Sequence, residues 1–280
     1  MACIIDKFSD DESDLELSGS TLDALKSFYA ERDARAEQFA KLQAEAEERH
    51  ALNVKLSMDA FTEDWNESQF WYSDETATFL AKQLLADATP TTSIAVISAP
   101  SVFVQLKNLL NSDAYKDKPK PKLTLLEHDN RFAVFADEFV FYDFAQPLKL
   151  PSHLKGAFDR VIVDPPFLSE DCQTKAALTV RWMLKSEETK GEKPKIIACT
   201  GERMETLVTE KLYKSYGLRT TTFEPKHARG LSNEFYCYAN FEVKPDEGAG
   251  AETPEGKGWT LRELGWKEKE GAATAAAAAA

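Results

Sequence analysis

Through the middle of the chain, short runs of aliphatic and β-branched residues alternate with amphipathic stretches. Ser93-Ile-Ala-Val-Ile-Ser98, Lys122-Leu-Thr-Leu-Leu-Glu127, Glu138-Phe-Val-Phe-Tyr-Asp143, Phe158-Asp-Arg-Val-Ile-Val-Asp164 and Lys195-Ile-Ile-Ala-Cys-Thr200 read as buried strands. Helical spacing of apolar positions falls before and between them: residues 74–87 behind a Ser73 N-cap, 102–112, Gln173 to Lys185, and Arg203 to Tyr216. Apolar strands alternating with helices predict a mostly parallel α/β sheet covered on both faces. The last two strand candidates, 218–223 and 234–241, are joined by EPKHARGLSN, too short for a crossover helix, so they must pair antiparallel.

The flanks differ. Residues 1–17 are acidic and expected to be disordered. Residues 18–64 are expected to form a helical extension, with Leu22, Leu25, Phe28 and Tyr29 at helical spacing after Ser20 and a charged stretch behind them. The principal domain is expected over 65–243. Residues 244–280 read as a flexible Gly/Pro/Glu linker, a short segment with Trp259 and Trp266, and an alanine-rich tail. That Trp segment suits equally a docking peptide or packing back on its own domain.

Charge narrows the partners. A net charge of -13 and a pI near 4.9 argue against a long phosphate backbone as ligand, because binding one relies on Lys and Arg neutralising phosphates. Cys3, Cys172, Cys199 and Cys237 are scattered, without metal-ligand spacing, so no metal is expected and the thiols are expected to be reduced. No signal peptide pattern opens the chain, and no apolar run approaches the roughly 18 residues of a membrane helix. The cytosol or the nucleus, without membrane attachment, is the expectation from these features, and the chain is expected to be a monomer.

Candidate chemistry lies at the strand ends, where open parallel sheets bind ligands. Glu127 ends the second strand, placed to take both hydroxyls of a ribose. Asp143 ends the third, placed to accept from an adenine amino group, with Phe144 to cover the ring. Asp164 ends the fourth and opens Asp164-Pro165-Pro166-Phe167. Proline cannot donate to a ladder, so the two prolines lie past the strand and stiffen the turn. The Asp164 carboxylate and the Pro165 carbonyl can then grip an amino group, with the Phe167 ring against the nitrogen.

GSTLDALKSFYAE, SQFWYSDETA, ISAPSVF, LLEHDNRF, FVFYDFAQPL, VIVDPPFLSEDC, ACTGERME and FEPKHARGLSNEFYCYANF together resemble the elongation factor 1-alpha lysine methyltransferase family, from about Leu15 to Phe241. That family was first taken for N6-adenine DNA methyltransferases because of the Asp-Pro-Pro-aromatic motif. The resemblance implies a seven-stranded, Rossmann-like class I methyltransferase with a C-terminal antiparallel hairpin. It also implies S-adenosyl-L-methionine as cofactor and a lysine of translation elongation factor 1-alpha as target. Cofactor contacts would fall on Ser98, Ala99, Pro100, Glu127, Asp143 and Phe144. SQFWYSDETA would bring Trp71 and Tyr72 toward the cofactor's methionine end, unless they are core aromatics. The target amine would meet Asp164, Pro165, Pro166 and Phe167, with Asp164 orienting it and the proton leaving to water.

One departure stands out. Ser98-Ala-Pro-Ser101 replaces the usual glycine-rich loop, and its side chains hinder close backbone approach. Adenine N6 methylation and a non-catalytic adaptor that keeps the sheet are the alternatives. His227 and Asn233, in the last connection, either line a substrate entrance or are simply solvated.

Overall fold

In the computed structural model the described residues are Lys26, Ser27, 56–58, 61, 63, 69–115, 117–118, 120–186, 193–230, 235–246 and 248–263. The chain divides into two compact units, Met1–Glu45 and Ala46–Ala280. Lys26 and Ser27 of the first are helical and exposed. The acidic N-terminus, the rest of the expected helical extension before Leu56, Asn233, Trp266 and the alanine tail lie outside the described residues.

The second unit is built on a seven-stranded sheet: β1 Ser93–Ile97, β2 Lys122–Glu127, β3 Phe139–Phe141, β4 Arg160–Val163, β5 Lys195–Gly201, β6 Arg219–Thr220 and β7 Phe235–Ala239. Their spatial order is β3-β2-β1-β4-β5-β7-β6. The first five are parallel, and β7 lies antiparallel between β5 and β6. This is the α/β sheet with a reversed C-terminal strand that the hydrophobic pattern predicts.

Alternate residues of each strand feed two cores. Ile94, Val96, Ile162 and Ile197 join helices α1 (Asp74–Leu85) and α2 (Pro100–Asn111) on one face. Ala95, Ile97, Val161, Val163 and Ile196 join α3 (Glu170–Met183) on the other. With both faces covered, residues 94–97 of β1 and 161–163 of β4 are apolar at every position, which is why these runs lack polar alternation.

Helix starts follow local chemistry. The Ser73 hydroxyl accepts from the Thr76 amide and caps α1 as expected. α3 begins earlier than the spacing suggests, because Ser169 accepts from the Cys172 amide and Glu170 and Asp171 suit the positive end of the helix. The regular helix expected over Arg203 to Tyr216 is not formed. A 3-10 turn, Glu202–Met204, precedes a π-helical stretch, Leu207–Leu212, and a second 3-10 turn, Lys214–Tyr216. Thr209 back-bonds to the Glu205 carbonyl, the Tyr213 amide reaches back five residues to Val208, and left-handed Gly217 ends the segment.

Beyond Val243, where a flexible linker was expected, the chain through 263 packs back on the domain. Val243 bridges Trp259 and Thr221 bridges Leu261, so residues 259–262 run along the edge of β6. The Arg219 guanidinium donates to the Arg262 carbonyl at 2.7 Å and fastens this edge. Trp259 is buried among Phe79, Phe223 and Phe241, and its indole N–H donates to the Phe241 carbonyl at 2.7 Å. Packing back on the chain's own domain is therefore the outcome for this tryptophan. Trp259→Ala is expected to cost about 3–5 kcal/mol, read from the urea unfolding midpoint, with Trp259→Phe losing less.

Cys172, Cys199 and Cys237 are buried free thiols. Among the described residues, no helix is long and apolar enough to cross a membrane.

Candidate active site

Parallel pairing levels the carboxyl ends of the strands. The Ser98 amide donates to the Leu126 carbonyl at 2.9 Å, the Asp164 amide to Ile97 at 3.0 Å and the Tyr142 amide to Glu127 at 3.0 Å. The ladders thus run one residue past β1, β4 and β3 and, with Glu127 closing β2, set Ser98, Glu127, Tyr142 and Asp164 along one edge. A cavity of about 660 Å3 opens there. Trp71, Tyr72, Ser98, Ala99, Pro100, Glu127, Asp143, Phe144, Asp164, Pro165, Pro166 and Phe167, the candidates from the sequence, all line it.

The loop after β1 keeps the backbone shape of a glycine turn without glycine. Ser98 sits at φ 54°, in the left-handed region that L-residues rarely occupy. Ala99 at φ −132° and ψ 57° leads into α2, and Pro100 opens the helix, where its missing N–H costs nothing. A β-branched side chain at 98 would clash most. Ser98→Val is expected to lose about 1–3 kcal/mol of stability and Ser98→Gly to lose none, measured by chemical unfolding.

Glu127 is 7% exposed. Its Oε1 accepts from the amides of His128 at 2.8 Å and Asp129 at 3.2 Å. Oε2 has no protein partner among the described residues and is available to a ligand. Burial pushes this carboxyl up to about 7 against the pull of the two amides. Asp143 sits at the mouth instead, accepting from the Ala145 amide at 2.8 Å and Gln146 Nε2 at 3.1 Å, and these bonds hold it below the usual carboxylate range. Phe144 stands beside it, its ring 5.5 Å from that of Phe167.

Asp164 is fixed from two sides. Its backbone is tied to β1, and the Tyr72 hydroxyl donates to its Oδ2 at 2.6 Å. Burial raises the carboxyl to about 8, the Tyr72 hydrogen bond works against that rise, and the nearby Glu127 charge adds to it. The turn beyond is rigid: Pro165 is buried, Gln173 Nε2 donates to the Phe167 carbonyl at 3.0 Å, and the Phe167 ring stays 41% exposed. An acceptor carboxylate beside a stiff diproline turn and an exposed ring is an arrangement for holding a small nitrogen group.

Trp71 and Tyr72 part company. The Trp71 indole donates to the Phe61 carbonyl at 2.7 Å and packs edge-on to Phe132, so its ring serves the core. Tyr72 serves Asp164. No local pattern in the sequence marks the Tyr72–Asp164 pair, and of the two readings open for His227 the structure places it on the cavity wall against the Tyr72 ring. Ser101, Leu168, Arg203 and Phe235 complete walls that no motif announced.

A seven-stranded sheet in this order, with acids at the tips of β2 and β4 and just beyond β3, and Asp-Pro-Pro-Phe after β4, defines a class I methyltransferase. Residues 63–243 match the family model described as "Probable N6-adenine methyltransferase". The chain is 44% identical over 234 residues to "Protein-lysine N-methyltransferase EFM5" of Saccharomyces cerevisiae, covering 81% of this chain and 92% of that protein. It is 41% identical over 234 residues to "EEF1A lysine methyltransferase 1" of Gallus gallus, covering 83% and 97%. Against the protein of that name from Danio rerio it is 47% identical over 180 residues, covering 63% and 98%. The chain belongs to this methyltransferase family.

Proposed function

We propose that this methyltransferase uses S-adenosylmethionine to methylate a lysine side chain of translation elongation factor 1-alpha in the cytoplasm, acting as a monomer and without nucleic acid. The observation that carries the reading is Asp164, held by Tyr72 beside Pro165 and Phe167, in the same cavity as a buried Glu127 whose Oε2 has no hydrogen-bond partner among the described residues. The names of the relatives supply the choice of protein substrate, and the net charge of -13 disfavours a polyanionic one.

The residues present fit the cofactor. Glu127 Oε2 would take ribose hydroxyls, Asp143 and Phe144 the adenine, and Ser98 to Pro100 the turn that borders them. When bound, S-adenosylmethionine supplies the electrophilic methyl group. The chain's own part is alignment and proton handling. The Asp164 carboxylate and the Pro165 carbonyl accept the N–H groups of the amine and fix the direction of its lone pair, and the Phe167 ring favours positive charge there.

A lysine ammonium ordinarily titrates near 10.4 and an aspartate near 3.9, a gap of roughly six pH units. Burial of Asp164 to about 8 narrows that gap to roughly two. An approaching ammonium pulls the carboxyl back down, so Asp164 acts first as the orienting acceptor and water takes the proton.

Mass spectrometry of purified elongation factor 1-alpha after incubation with the protein and S-adenosylmethionine tests the reading. Methyl increments on one lysine are expected. Methyl transfer to adenine in DNA with the elongation factor unmodified would overturn it.

A further inference from the structure

The function proposed above leaves one neighbour of Tyr72 unused, the imidazole of His227, together with the clamp that holds it. The connection between β6 and β7 is pinned to the segment before α1. Tyr72 and His227 form an antiparallel bridge. The Ser73 amide donates to the Lys226 carbonyl at 2.8 Å, the Ala228 amide to the Trp71 carbonyl at 2.8 Å, and the Lys226 amide to Thr76 Oγ1 at 3.0 Å.

The rings follow the backbone. The imidazole centroid lies 4.9 Å from the Tyr72 ring, tilted by 37°, and 4.9 Å from the Phe235 ring at 87°. His227 therefore sits in a slot between two aromatic rings. Its side chain is half-buried and not solvated as a surface-loop histidine would be. Burial holds the imidazole down to about 4, so it is uncharged at neutral pH and adds no repulsion against an incoming ammonium.

We propose that His227 is a positioning residue: its ring backs the Tyr72 ring, keeps the Tyr72 hydroxyl on Asp164 Oδ2, and so presents that carboxylate to the substrate amine in one orientation. The lysine-methylation reading is needed only for the identity of that amine, since the ring contacts and the hydrogen bond belong to the protein alone. Without a backing ring the phenol gains room to turn, and water competes for the carboxylate. The titratable groups facing Asp164 are Tyr72 from the segment before α1, Glu127 at the tip of β2, and Cys172 on α3. Cys199 on β5 faces both Asp164 and the Tyr72 hydroxyl. The contacts of His227 lead to Asp164 through Tyr72.

The test follows the Asp164 carboxyl by 13C NMR titration in the unliganded protein, alongside the pH dependence of turnover on elongation factor 1-alpha. Tyr72→Phe removes a hydrogen bond to the charged form and is expected to raise the Asp164 midpoint by about one pH unit. His227→Ala is expected to move it in the same direction, and the double variant no further than Tyr72→Phe alone. His227→Phe, which keeps a ring, is expected to restore the wild-type midpoint. If His227→Ala fails to fold, His227→Gln takes its place with the same expectation.

An unmoved midpoint in the ringless variant, or a shift that adds to that of Tyr72→Phe, would overturn the proposal. A purely structural role would lower thermal stability and leave the midpoint alone. Titrations that behave as expected in a protein that methylates no elongation factor would count against the proposed substrate and not against His227.

Discussion

Asp164→Asn is expected to lower turnover by about two to four orders of magnitude while leaving S-adenosylmethionine affinity within a few-fold of wild type. The amide keeps the size of the carboxylate but replaces one acceptor oxygen with a donor, so it opposes an amine's N–H groups in place of gripping them. With the one remaining oxygen accepting from the Tyr72 hydroxyl, the amide NH2 is what faces the amine. Single-turnover kinetics with saturating cofactor, paired with calorimetry, separate the two quantities. A variant with wild-type turnover would remove Asp164 from the chemistry.

Glu127→Gln is the counterpart for cofactor binding. Two hydrogen bonds from ribose hydroxyls to a charged, desolvated acceptor are worth about 1.5–3 kcal/mol each, so cofactor affinity should fall by about two to four orders of magnitude. The unliganded protein should respond in the opposite sense. The folded-state value of Glu127, about 7, lies above the ordinary carboxylate value, so the folded chain keeps a proton that the unfolded chain has already released. Its contribution to stability is fully present below about pH 4 and is lost as pH rises through 7. Asp164, raised to about 8, adds the same trend. Thermal melts of the wild-type protein without ligand should therefore fall between pH 5.5 and pH 8.5, and Glu127→Gln should flatten part of that decline by roughly 2 kcal/mol. A binding group held at the expense of stability is the usual bargain of a functional site.

What could be read from the sequence depended on range. The strands are legible because each is a short continuous apolar run bounded by polar and turn residues, and Ser73 can be read as a cap from its immediate neighbours. The acids at 127, 143 and 164 could be found because the end of a parallel strand is itself where ligands sit, so locating the strand located the site. The partnership of Tyr72 with Asp164 joins residues 92 positions apart, and no local pattern encodes it. The same holds for Trp259, whose burial depends on a return across the far edge of the sheet. The left-handed turn at Ser98 was hidden for another reason: the residue type argues against the conformation that tertiary pairing with β2 imposes.

The reversed strand has a topological dividend. Because β7 begins opposite Gly201, at the finish of β5, Phe235 and the described part of the loop before it, His227 and Gly230, reach the rim of the cavity. Had all seven strands run the same way, that loop would have emerged at the far side of the molecule, out of reach of Asp164. One inversion therefore gives the cavity a further wall, His227, Gly230 and Phe235, that the five parallel strands alone would not supply.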